Sequence, residues 1–172
     1  MTEKRPFYYA LRATKNGAIR LVLRSFNEVG SLGEVWIRWE PAPHLVNRYY
    51  IESVCNNCNG FNILLAEEEV PENKVYVRFK DWVNGYRHTD ETLRAHLVHE
   101  LHKKYGVQFC SQWTFFRVLN SSYLAWLSEQ SSTISDHMNL MHFVIFDSDT
   151  AIDIAATYEP TIERVTLAKD RE

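Results

Sequence analysis

The chain has 172 residues, 45% hydrophobic, 13% aromatic and 24% charged, with a net charge of −3. That is enough apolar material for one buried core without staples, and too much for a long disordered chain. The overall charge gives no bias toward nucleic acid or anionic membrane. The halves differ, though: residues 1–80 carry 11 Lys/Arg against 9 Asp/Glu, and residues 81–172 carry 8 against 13. The first six residues lack the apolar core of a signal peptide, and no apolar run reaches the ~20 residues of a membrane helix. Three Cys, an odd number, do not suggest a disulfide framework. The expectation is a single cytoplasmic domain over residues 1–172, frayed at 1–6 and 168–172, with no membrane association.

In chain order, residues 7–13 and 18–26 read as two strands around Thr14-Lys15-Asn16-Gly17, because Asn-Gly supplies a tight hairpin turn. Ile19, Leu21 and Leu23 alternate with Arg20, Val22 and Arg24, giving one apolar and one partly basic face. Residues 34–40 form a third strand, with Val35, Ile37 and Trp39 on one side and Trp36 and Arg38 on the other. The short connections suggest an antiparallel meander. Pro41 and Pro43 end it, since proline cannot donate to a ladder. Residues 45–54 form a further candidate strand, and an Asn-rich loop surrounds Cys55 and Cys58. A short apolar piece, 61–66, follows. Residues 74–82 then alternate cleanly, with Val75, Val77 and Phe79 inward and Lys74, Tyr76, Arg78 and Lys80 outward.

Residues 90–105 are the best helix. Thr89 or Asp90 can cap it, Lys103 and Lys104 suit its negative end, and Gly106 can terminate it. Leu93, Leu97, Val98, Leu101 and Tyr105 make its apolar stripe. A strand through residues 113–116 and a short helix over 123–130, capped from Asn120-Ser121-Ser122, come next. The run 140–146 reads as a strand covered on both faces, with His142 a satisfied buried histidine rather than a ligand. After the acidic turn Asp147-Ser148-Asp149-Thr150, a second apolar segment centres on Ile152 and Ile154, and residues 162–167 add a last strand. The fold class expected is α+β: a mostly antiparallel sheet of six to eight strands, with one long amphipathic helix and one short helix packed on it.

An apolar strand ending in Asp147-Ser148-Asp149 resembles the first motif of haloacid dehalogenase-like phosphatases. That resemblance implies Asp147 as nucleophile and Asp149 as acid/base beside Mg²⁺. The motif also resembles the metal-binding Asp-x-Asp of nucleotide-sugar glycosyltransferases. It departs from the phosphatase pattern, because Thr150 directly follows Asp149 where a Gly comes first. Only 22 residues follow Thr150, where the remaining motifs would lie, and a glycosyltransferase needs a longer chain. The expected role is a hairpin turn whose side chains bond nearby backbone N–H groups. A small metal-dependent enzyme using Asp147 and Asp149 is the alternative.

His96, His99 and His102 recur at spacings of three along one side of the helix, which suits a metal. His99-Glu100-Leu101-His102 is not the His-Glu-x-x-His pattern, so a solvated face is expected. Cys55-x-x-Cys58 needs two more ligands for structural zinc, and only Cys110 with His44 or His88 could add them. No cofactor is expected. A basic and aromatic sheet face of Arg20, Arg24, Trp36, Arg38, Tyr76, Arg78 and Lys80 would suit single-stranded nucleic acid. The acidic second half counts against it. Elimination leaves a non-enzymatic protein-interaction module, an inhibitor or immunity-type protein. It would meet a basic partner protein through Asp147, Asp149, Asp153 and Glu159 and nearby aromatics.

Overall fold

A computed structural model describes residues 33–165 and, before them, the backbone of two strands, β1 (Tyr8–Ala13) and β2 (Ile19–Arg24). These pair antiparallel with Tyr8 opposite Arg24, the hairpin expected from the sequence. The side chains of Arg20 and Arg24 lie outside the described residues. The strands that follow are β3 (Val35–Arg38), β4 (Tyr49–Asn57), β5 (Gly60–Glu67), β6 (Lys74–Phe79) and β7 (Gly85–Asp90). Then come β8 (Phe115–Leu119), β9 (Met141–Phe146), β10 (Thr150–Ala156) and β11 (Thr161–Arg164).

The nine strands from β3 to β11 build two antiparallel sheets, ordered β3-β8-β9-β10-β7 and β11-β6-β5-β4. The architecture is α+β, as expected from the sequence. The described strands number eleven, against the expected six to eight, and among them β7, Gly-Tyr-Arg-His-Thr-Asp, carries no apolar alternation to announce it. The anticipated meander of the first three strands does not form. Val35 pairs with Leu119 of β8, so β3 leaves the amino-terminal hairpin for a distant partner.

The sheets face each other through an aromatic interior. Phe79 and Phe143 lie 5.8 Å apart between ring centroids, Tyr49 and Phe115 5.7 Å, and Phe61 and Tyr86 4.6 Å. Thr114 joins the sheets with polar bonds, its Oγ1 accepting from Tyr49 N–H at 2.9 Å. Gly60 turns the β4–β5 hairpin at φ +100, and a Cβ there would stand 2.2 Å from the Phe79 carbonyl oxygen.

Helices α1 (Ala95–Tyr105), α2 (Gln108–Ser111) and α3 (Ser122–Gln130) cover the other face of the five-stranded sheet. Tyr105 Oη accepts from Trp36 N–H at 3.1 Å, and Phe109 meets Phe116 at 5.2 Å. β9 is therefore central within its sheet and covered on both sides, and every residue from His142 to Phe146 is buried.

Trp36 points inward under α1, whereas Val35 and Ile37 are exposed, because β3 packs its Trp36 face on the helices. One side-chain placement reverses the sequence expectation. Leu93 is 82% exposed rather than part of the helical stripe. It falls in a 3-10 turn, Glu91–Arg94, whose three residues per turn break phase with α1. Asp90 caps that turn by accepting from Thr92 N–H, and Gly106 ends α1 at φ +89. Among the described residues, no helix is long and apolar enough to cross a membrane.

Candidate functional site

The four carboxylates expected to meet a partner divide into two kinds. Asp147 and Asp153 are buried, while Asp149 and Glu159 are exposed. Asp147 Oδ1 accepts from the backbone N–H groups of Asp149 at 2.9 Å and Thr150 at 2.6 Å, closing the β9–β10 turn. Its Oδ2 accepts from Ile51 N–H at 2.8 Å, in the opposite sheet. Oδ1 also accepts from the Thr150 hydroxyl at 3.3 Å, so both oxygens are spent inside the fold and neither is aimed at a substrate. Asp147 is thus withdrawn from the contact surface, because a turn closed inside a sandwich needs an acceptor for its N–H groups.

Asp153 is withdrawn for another reason. It lies on the helix side of β10, with no exposure, surrounded by donors. Arg87 Nε donates to its Oδ2 at 2.7 Å, Arg94 Nη1 to the same oxygen, and His142 Nε2 meets Oδ1 at 2.9 Å. Burial alone would raise its pKa. The hydrogen bonds from His142 and Arg87 and the charges of Arg94 and Arg87 outweigh that and hold it well below the usual carboxylate range.

An ionised carboxylate only accepts, so Nε2 of His142 carries the hydrogen of that bond. Its other ring nitrogen, Nδ1, lies 2.8 Å from the Ser121 hydroxyl oxygen. Ser121, His142 and Asp153 therefore form a connected chain of the residue types found in serine hydrolases. The Ser121 oxygen is committed elsewhere, however: it caps α3 by accepting from Leu124 N–H at 3.0 Å, and the residue is buried. The chain orders the start of α3 and presents no hydroxyl to a substrate.

Above this network lies a cleft of about 970 Å³ between α1, the start of β3 and the start of α3. Trp36, Leu97 and Leu101 supply apolar walls, and Arg87, Arg94, His142 and Asp153 form the polar floor. Glu34 fixes one end, accepting from Ser122 N–H at 2.7 Å and from the Trp36 indole N–H at 3.1 Å. A carboxylate is favoured there by the positive end of α3.

The chain matches no family model, no curated protein and no solved structure.

The remaining sequence candidates are dispersed. Trp36 and Arg38 belong to one sheet, and Tyr76 and Arg78 to the other, with Lys80 just past β6. Trp36 is buried, and Arg38 donates to the Gln108 carbonyl at 2.8 Å. Arg78 lies over the Tyr76 ring at 4.1 Å and contacts Glu163 at 2.7 Å, without hydrogen-bond alignment through its Nε. The described members of the basic and aromatic face thus do not share one surface.

Cys55 and Cys58 are exposed at the β4–β5 hairpin, whereas Cys110 is buried in α2, its thiol pushed up to about 11 by burial against the opposing charges of Arg38 and Arg48. His96 and His99 are exposed on α1, and His102 is partly covered. Among the described residues, no three His, Cys, Asp or Glu side chains converge to hold a metal.

A second surface stands at the end of the five-stranded sheet where β10 finishes and β7 begins. Asn84 N–H donates to the Ala155 carbonyl at 2.8 Å, Asp81 N–H to Tyr158 Oη at 2.8 Å, and Asn84 Nδ2 reaches Met138 Sδ at 4.0 Å. These bonds gather residues 81–84, 138 and 155–159 together. Trp82 stands out from them 92% exposed, next in sequence to the exposed Asp81, and Glu159, beyond Tyr158, is exposed as well. Glu159 pairs with Arg117 at 2.9 Å.

Sequence reasoning passed over Arg87, Arg94 and Trp82. A legible signal existed for the first two. Asp153 interrupts the apolar run 151–156, and a carboxylate in a covered strand requires cationic partners. Trp82 carried no such signal, since exposure of a loop aromatic depends on what the fold leaves around it.

Proposed function

We propose that the chain is a non-enzymatic protein-interaction module, an inhibitor or immunity-type protein that docks a basic partner on the sheet end bearing Trp82. The observation that carries this reading is the 92% exposure of Trp82, in a chain that buries Trp36, Trp39 and Trp113. A solvated indole is a large apolar area held out of a core, and burying such a ring against a partner is the usual source of interface hot spots. Asp81 next to it, and Glu159 at the same end of the sheet, supply negative charge to complement a basic surface. Of the four carboxylates singled out from the sequence, Glu159 belongs to this surface. Asp149 sits in the β9–β10 turn, at the other end of β10.

The test is recovery of a partner from extracts of the native host by the intact protein, compared with Trp82→Ala and Asp149→Lys. The expected result is one basic protein retained in stoichiometric amount by the intact protein and by Asp149→Lys, and at least about tenfold less by Trp82→Ala. Thermal melting of Trp82→Ala should match the parent, because an exposed ring contributes little to the core. Equal retention by all three proteins, or no retained protein at all, would sink the proposal.

A further inference from the structure

We infer that the cleft between α1 and the five-stranded sheet is a binding site for a monoanionic carboxylate with an apolar body. Its volume of about 970 Å³ falls at the upper end of the range typical of small-molecule sites. The apolar body is accommodated by Trp36, Leu97 and Leu101.

The anion is specified by Arg87. Its Nε is held by Asp153 at 2.7 Å and its guanidinium lies 4.5 Å from the Tyr123 ring centroid. Neither Nη has a hydrogen-bond partner among the described residues, and the side chain is 44% exposed. An arginine fixed through Nε and through its face presents its remaining donors without further loss of freedom. That fork matches the two oxygens of a carboxylate. Arg94, by contrast, spends its Nη groups on Asp153 and Thr89 and serves to hold the floor.

Charge sets the valence of the ligand. Arg87, Arg94, Lys103 and Lys104 line the cleft against Glu34, Glu100 and Asp153. Four cations against three carboxylates leave one positive charge, which a single carboxylate neutralises and a dianionic phosphate would overshoot. The same group can arrive as a free organic acid or as the carboxyl terminus of a peptide. The site does not depend on the Trp82 surface, so the two proposals fail separately.

The experiment is calorimetric titration of the intact protein with octanoate, octanamide and a tetrapeptide ending in a free Leu carboxylate. The Trp36 indole N–H resonance is followed in parallel. Octanoate, the peptide or both should bind with one-to-one stoichiometry and shift that resonance. Octanamide should bind at least about tenfold more weakly, since it keeps the chain and loses the charge. Arg87→Gln should lose at least as much, and Arg87→Lys, which retains charge without the fork, should recover only part of it. Binding of octanoate alone identifies a free acid, and binding of the peptide alone identifies a chain terminus. The inference is overturned if neither carboxylate binds at millimolar concentration, if octanamide binds as well as octanoate, or if folded Arg87→Gln retains full affinity.

Discussion

His142 and Asp153 meet at 2.9 Å across neighbouring strands in the interior of the protein, with Arg87 and Arg94 on the other carboxylate oxygen. Removing Asp153 would leave the Arg94 guanidinium, whose side chain is only 10% exposed, without its counter-charge. Asp153→Ala is expected to destabilise the protein by about 3–5 kcal/mol, the usual cost of breaking a buried pair from one side. Denaturant unfolding of both proteins measures this directly, and a loss below about 1 kcal/mol would show that the network is not buried as described.

The same carboxylate sets an acid limit on stability. Its folded pKa lies below the value of an unfolded Asp, so it stabilises the native state above about pH 4. That contribution declines as pH falls from about 4 toward the lowered folded value. Unfolding free energy measured between pH 7 and pH 2 should therefore drop on the acid side. Asp153→Asn, which cannot ionise, should show a shallower acid slope from a lower plateau.

The Asp147-Ser148-Asp149 turn makes a sharp comparison between two adjacent acids. Asp147→Ala orphans the N–H groups of Ile51, Asp149 and Thr150 and is expected to cost at least about 2 kcal/mol. Asp149 is exposed, and Asp149→Ala should stay within about 0.5 kcal/mol of the parent. Equal effects in equilibrium unfolding would contradict the division between clasp and surface charge.

Thiol chemistry should report the same interior. Cys55 and Cys58 are exposed, and burial pushes the Cys110 thiol up to about 11. At pH 8 a disulfide reagent such as Ellman's should titrate two thiols in the folded protein and three in denaturant. Three fast thiols in the folded state would mean that α2 does not seal Cys110.

Much of the fold was legible because its elements follow simple periods. Val75, Val77 and Phe79 alternate inward as read, and the run through Phe143 and Ile145 is the covered central strand it promised to be. What escaped was set by tertiary neighbours. β3 pairs with β8 under α1 instead of extending the amino-terminal hairpin, and no local pattern encodes that partner. The site shows the same division. The turn role of Asp147 follows from Asp chemistry in a hairpin. From sequence, Asp153 groups with the surface carboxylates of the acidic second half, although it sits in an apolar strand, because its guanidinium partners lie in the unannounced strand β7 and in the 3-10 turn after it.

The two sheets also impose different searches on a folding chain. β4, β5 and β6 are successive and close by short connections, so this meander forms from contacts near in sequence. In the other sheet Val35 must find Leu119, and Ile152 must find His88, before the layer is complete. Loop-closure entropy makes such pairings late and slow. The helix-covered sheet, which carries both the cleft and the Asp153 cluster, therefore rests on distant pairings, and the other sheet shares that burden only at its edge, where Ile162 of β11 must find Val77 of β6.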